Sequence, residues 1–209
     1  RRRAKVVVAL LFILFCTPHA SADESPVVTL ALVGDVLPMY VTDPFRDDGV
    51  RSVLRGADIA FGNLEGPLSS RGSPNPIKFH NGRLIPNEFL FRASPAKFAS
   101  LRNGGFGVVS LANNHMMDYG LPALHDTWNG LQKYGILHAG AGSDLAGACR
   151  PAIVERRGLR VAFLAYVAAA TLPTTRNYAA TEDAAGLAFL YQNESGHPTA
   201  QTLAMVRDD

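Results

Sequence analysis

Short apolar runs rich in Val, Ile and Leu alternate along the chain with stretches whose apolar residues recur every three or four positions. That alternation predicts an α/β fold, in which parallel strands are covered by helices, rather than a stack of antiparallel hairpins. The expected strands are 27–33, which runs into Gly34 and Asp35; 57–61, followed by Gly62, Asn63, Leu64 and Glu65; and 107–111, followed by Ala112, Asn113, Asn114 and His115. Three more are expected at 136–139, 152–155 and 159–167, the last two joined by a tight turn at Arg157 and Gly158.

The helices between them have readable ends. Ser94 is placed as an N-cap with Pro95 in the first helical position, Phe98 and Leu101 supply the apolar stripe, and Gly104 with Gly105 stops it, predicting a helix over 95–103. A second begins near Pro122 and repeats apolar groups at Leu121, Leu124, Trp128, Leu131 and Tyr134 before Gly135. Trp128 reads there as a core anchor. Residues 66–91 hold Pro67, Gly72, Pro74, Pro76, Gly82 and Pro86 without helical period, the mark of a long functional or mobile loop. Residues 168–196 are irregular, and 199–207 open another helix.

With 209 residues, 47% hydrophobic and 18% charged, the chain has the composition of one globular core. Arg1, Arg2, Arg3 and Lys5 precede an apolar run from Val6 to Phe15, and Ala20, Ser21 and Ala22 follow. That order predicts a secretory signal peptide over 1–22 and a domain over 23–209. The run is about half of the roughly 20 residues that a spanning helix needs. Phe15 before Cys16 is too bulky for a lipoprotein signal. Removing the four basic residues of the leader turns a net charge of +2 into −2. Such a domain lacks the clustered basic surface that nucleic acid requires, and an extracytoplasmic location follows from the leader. Cys149 is then the single cysteine, so the core alone must hold the fold. The chain closes on Arg207, Asp208 and Asp209 with no helix-stop signal, which leads us to expect a domain truncated at its C-terminal end.

Three expected strands end in residues able to bind a cation: Asp35; Asn63 and Glu65; Asn114 and His115. In parallel α/β sheets the ligand site lies beyond the carboxyl ends of the strands, so these residues are expected to converge. Carboxylate, amide and imidazole donors suit a divalent metal that leaves positions open for water and phosphate. A pair of ions could hold both the attacking and departing oxygens of a phosphoryl displacement. Glu65 suits a bridging role, and His115 suits proton donation to a leaving group. Each residue also has a structural alternative: Asp35 as a turn cap, Asn63 in an Asx turn, Asn114 as a turn residue with positive φ. Asp118 fits either the dipole of a following helix or a supporting place behind the site. His19, His80, His125, His138 and His197 are expected to be structural or exposed.

The strings LALVGDVLPMY (30–40), DIAFGNLEGPLS (58–69) and GFGVVSLANNHMMDYG (105–120) resemble the N-terminal signatures of the CapA-type poly-γ-glutamate capsule synthesis family. The segments IKFHNGRLIPNEFLFRASP (77–95), HAGAG (138–142) and GLRVAFLAYV (158–167) extend the resemblance over nearly the whole chain beyond the leader. That family is similar to calcineurin-like metallophosphoesterases, which implies a sandwich of β-sheets flanked by helices. The resemblance also implies a divalent-metal site, with two ions in the complete protein, drawn from Mn, Zn, Fe or Mg. It makes Asp35 a metal ligand, Glu65 the bridge, Asn114 a second-metal ligand and His115 the proton donor. Asn63 stands where many phosphoesterases have Asp, so it competes with Glu65, which is favoured for its charge.

Leu37 replaces the usual His two residues after the first Asp, and the later HWG-like and GHxPH-like strings are absent. The implied site is therefore incomplete. Membrane-bound capsule synthetase subunits and an anionic polymer are the implied partners. Three functions stand open: capsule polymer synthesis, transport or anchoring; a secreted or periplasmic metal-dependent phosphoesterase without a capsule role; and a non-catalytic polymer-binding scaffold.

Overall fold

The computed structural model describes residues 26–74, 79–80, 83–84, 90–168, 178–193, 195 and 197–208. The expected leader lies outside them, as do parts of the 66–91 loop and of the 168–196 stretch. In chain order the elements are β1 (Leu30–Val36), α1 (Asp48–Gly56), β2 (Ile59–Leu64), β3 (Phe79–His80), β4 (Arg83–Leu84), α2 (Lys97–Gly104), β5 (Phe106–Ser110), α3 (Gly120–Lys133) and β6 (Leu137–Ala139). They continue with β7 (Ala141–Gly142), α4 (Leu145–Cys149), β8 (Ala152–Arg156), β9 (Leu159–Phe163), β10 (Val167–Ala168), β11 (Gly186–Leu187), β12 (Phe189–Leu190) and α5 (Ala200–Asp208). Among the described residues no helix is long and apolar enough to cross a membrane.

Strands β1, β2, β5 and β6 form a parallel sheet in that spatial order. Crossovers between parallel strands are nearly always right-handed, so a sheet that grows in one direction collects its helices on one face. The packing agrees. Leu54 of α1, Phe98 and Leu101 of α2, and Leu124 and Leu131 of α3 join Ala60, Leu64, Phe106 and Val109 of the sheet in one buried cluster. Alternate strand residues point the other way, so Ile59, Val108 and Ala139 meet Ala152 and Val154 of the β8–β9 hairpin. Phe61 stacks on Phe163 across that second interface at 5.1 Å. The sheet is thus covered by helices on one face and by a hairpin on the other.

Several element ends differ from those expected. β1 and β2 run three residues further than predicted, because pairing with a parallel neighbour carries the extended backbone through Gly34 and Asp35 and through Gly62 to Leu64. Ser94 does not cap α2. Its hydroxyl accepts from the Ala96 amide at 3.3 Å and its carbonyl from Lys97 at 3.0 Å, a turn that delays the helix to Lys97. Helix α1 was not anticipated, although Val50, Val53 and Leu54 stand at helical spacing; it is 9 residues long and Leu54 is its one buried residue. Asp47 caps it by accepting from the Val50 amide at 3.0 Å. The predicted turn at Arg157 and Gly158 is present, with φ of 51° and 77°, and joins β8 to β9.

Candidate functional site

Strand register builds the site. Leu32 pairs with Phe61, but Asp35 pairs with Asn63, so β1 carries one extra residue over the same length of β2. A bulge of this kind re-aims the residues that follow it. Without it Asp35 would fall opposite Leu64, on the other side of the pleat. With it, Asp35, Asn63 and Ser110 stand in one row across three strands. Glu65 follows two residues after Asn63 and so shares its side of the chain.

The side chains are tied together. The Asn63 amide nitrogen donates to Asp35 Oδ1 at 2.8 Å and to Glu65 Oε2. Its orientation is dictated from below. The backbone amides of His115 and Met116 donate to Asn113 Oδ1 at 3.1 and 2.9 Å, which fixes that atom as the oxygen. Asn113 Nδ2 then donates to Asn63 Oδ1 at 3.0 Å and to the Leu64 carbonyl at 2.8 Å. Asn63 is left presenting its NH2 group to both carboxylates. A relay of two amides thus connects the third strand tip to the first.

His115 is held from two sides. Its Nδ1 lies 2.8 Å from Asp118 Oδ2, so Nδ1–H donates to the carboxylate and Nε2 turns toward Glu65, 3.8 Å from Oε1. Asp118 is fully buried and also accepts from the Phe91 amide at 2.7 Å. The Phe91 ring stacks on the imidazole at 3.8 Å between centroids. Asn114 sits half-buried in the same turn. Asp118 therefore stands behind the imidazole, the Asx turn belongs to Asn113 rather than to Asn63, and Asn114 does not have a positive φ.

The loop after β2 is pinned to α3. The Leu68 amide donates to Thr127 Oγ1 at 3.0 Å, and Ser69 Oγ to Asp126 Oδ2 at 2.6 Å. The Arg71 guanidinium beside Asp126 holds that carboxyl below its ordinary range.

Electrostatically the centre is strained. Burial pushes the Glu65 carboxyl up, and the Asp35 carboxylate adds to the shift, while His115 and the Asn63 hydrogen bond oppose it. Two carboxylates meeting one amide are a donor set suited to a divalent cation, which would take the place of the amide protons. Among the described residues, however, no three His, Cys, Asp or Glu side chains are arranged around one metal position. The geometry brings together Asp35, Asn63, Glu65, His115 and Asp118. Asn113 and Phe91 are parts that sequence reasoning passed over. The N-x-H spacing of an Asx turn was a legible signal for Asn113, whereas Phe91, distant in sequence, gave none.

These features define an α/β domain with an acid, amide and imidazole cluster at the tips of parallel strands. The chain belongs to the bacterial capsule synthesis protein family PGA_cap, which matches residues 22–208. It is 25% identical over 159 residues to the Bacillus subtilis PGA biosynthesis protein CapA, covering 72% of this chain and 40% of that protein. It is 28% identical over 153 residues to the Bacillus anthracis capsule biosynthesis protein CapA, with coverage of 68% and 35%. A probable polyglutamine synthesis accessory protein of Mycobacterium tuberculosis is 39% identical over 130 residues, with coverage of 62% and 32%. The matched stretch spans about a third of the length of these curated relatives.

Proposed function

We propose that this chain is the N-terminal portion of an exported protein that supports synthesis, transport or anchoring of a poly-γ-glutamate capsule through a divalent-metal, phosphoesterase-like site at the strand tips. The observation that carries the reading is the bonded row Asp35, Asn63 and Glu65 with His115 turned toward it. Relatives named for capsule and PGA biosynthesis support the biological role, and one named as a synthesis accessory protein supports association with synthetase subunits. An extracytoplasmic location is supported by the leader-like order of residues 1–22. The sheet with helices on one face and the β8–β9 hairpin on the other is consistent with the first part of a metallophosphoesterase-like sandwich.

Asp35 and Glu65 would hold the ion, Mn, Zn, Fe or Mg, with Asn114 beside them and Asn63 yielding its place between the carboxylates. A second ion needs further donors. When bound, a divalent ion supplies charge to polarise a phosphoryl oxygen and to acidify water. His115 presents Nε2 to a leaving oxygen, with its Nδ1–H donating to Asp118 and its plane set by Phe91, and gives up a proton from Nε2 when the ring is doubly protonated. Asn113 keeps Asn63 and the His115 turn in register. Metal analysis and metal titration of the purified protein test the reading. Asp35→Ala and Glu65→Ala are expected to weaken binding at least about tenfold, since each removes a charged ligand. Purified protein with no bound metal, and no response to either substitution, would remove the metal site.

A second reading, a metal-dependent phosphoesterase without a capsule role, draws support from the Asp118–His115 pair. It requires phosphoester turnover that His115→Ala abolishes; silence across a broad panel with metal verified in place counts against it. A third, a polymer-binding scaffold, draws support from Leu37 in place of His. Polymer binding that survives joint substitution of Asp35, Glu65 and Asn114 would favour it.

A further inference from the structure

A cavity of about 520 Å³ lies at the free edge of the sheet, between α3, β6 and the residues that lead into β8, and shares no residue with the strand-tip cluster. Its size falls within the range of small-molecule sites. One wall is Trp128, half-buried, with His125 stacked on it at 4.6 Å. His138, whose ring is nearly parallel to the indole at 6.5 Å, lines the same space. Its Nδ1 is buried without a hydrogen-bond partner among the described residues. Burial also lowers the His138 pKa, so the ring is an uncharged aromatic wall of the cavity.

Arg150 is the single formally charged side chain lining the cavity, and Asn129, Gln132 and the apolar Ile153 line it as well. Arg150 is exposed and has no acidic partner among the described residues. One cation, neutral hydrogen-bonding groups and an indole floor match a ligand with one negative charge and an apolar body. A phosphate would ask for more positive charge than one guanidinium provides. We infer that this edge cavity binds a small monocarboxylate, its carboxylate on Arg150 and its body against Trp128 and His138.

Trp128 is the single tryptophan of the chain, so its emission reports on this cavity alone. Titration of the purified protein with hexanoate is expected to give a saturable change in emission. Hexanamide, which lacks the charge, is expected to bind at least about tenfold more weakly, as is hexanoate to Arg150→Gln, since a charge-assisted contact is lost. Arg150 is exposed, so that variant folds, and an unchanged thermal melt confirms it. Asp35→Ala must leave the titration unchanged, which separates this site from the strand-tip reading. No saturable change with hexanoate, an equal response to hexanamide, tighter binding of inorganic phosphate, or an Arg150→Gln titration matching wild type would each overturn the inference.

Discussion

Two acidic side chains bracket β2, Asp58 just before it and Glu65 just after it, and the fold treats them in opposite ways. Asp58 Oδ2 accepts from the Thr29 amide at 2.9 Å and the Thr29 hydroxyl at 2.8 Å, while Oδ1 accepts from Arg157 Nε at 2.9 Å. The Thr29 amide first, then Arg157 and the Thr29 hydroxyl, lower its pKa to about 2. Glu65, one strand length away, is half-buried beside Asp35, and its pKa is raised. At the base of the sheet the Asp58 charge is answered by a cation and by Thr29, and the result is structural: Asp58 staples the entry of β1 to that of β2. At the tip, like charges are crowded together with an imidazole and answered by a neutral amide. Titratable groups left in that condition concentrate at functional sites, because a substrate or a cation completes them.

The largest expected effect tests whether the tip performs chemistry. If it does, His115→Ala and Asp118→Asn each lower phosphoester kcat/KM by about 10²–10⁴-fold, the usual worth of a positioned proton donor, while Asp58→Asn leaves it unchanged. Equal losses at tip and base would erase the distinction. Next is the amide relay. Asn113→Ala strips partners from the buried Met116 amide, the part-buried His115 amide and the Leu64 carbonyl and is expected to cost about 3 kcal/mol in denaturant unfolding. A loss near zero would mean that the relay does not hold the turn. Thr127→Val leaves the Leu68 amide without its acceptor and is expected to cost about 1–2 kcal/mol.

The smallest effect, and the sharpest contrast, is in pH dependence of the metal-free protein. Glu65 has a folded pKa above its unfolded value, about 4.3, so its contribution to stability is complete below that pH and is lost as pH rises through the raised value. Glu65→Gln therefore flattens the decline on the alkaline side. Asp58 has a lowered folded pKa, so its contribution is present above about 3.9 and is lost as pH falls toward about 2. Asp58→Asn flattens the acid limb instead. Melting temperature against pH for the two variants checks the signs, and a Glu65→Gln variant that melts as low as Asp58→Asn at pH 8 would contradict them.

Much of the frame was legible because it is local. The Val- and Leu-rich runs marked the strands, Gly105 and Gly135 marked the ends of α2 and α3, and the Arg157–Gly158 turn was readable from its residues. The unforeseen elements are short helices that bury little. Helix α1 buries one residue, and α4 is five residues long and starts from an Asp144 cap that resembles many loop aspartates. Trp128 was expected as a core anchor, and it packs against the core from one side while its other surroundings form the edge cavity. Periodicity shows that an indole faces inward; it cannot show how completely the far side is filled.

By itself, the order of residues determined that three strands would carry Asp35, Asn63 with Glu65, and Asn113 to His115 at or just beyond their carboxyl ends, because strand and turn preferences act over a few neighbours. Only the tertiary structure decided that Asp35 stands level with Asn63, since a single extra residue in β1 moves a side chain to the opposite face and pairing energies choose the register. It likewise decided that Asp118 and Phe91 embrace His115 and that one asparagine orients another. Such contacts join residues from 3 to 50 positions apart, and which atoms meet there is settled by packing.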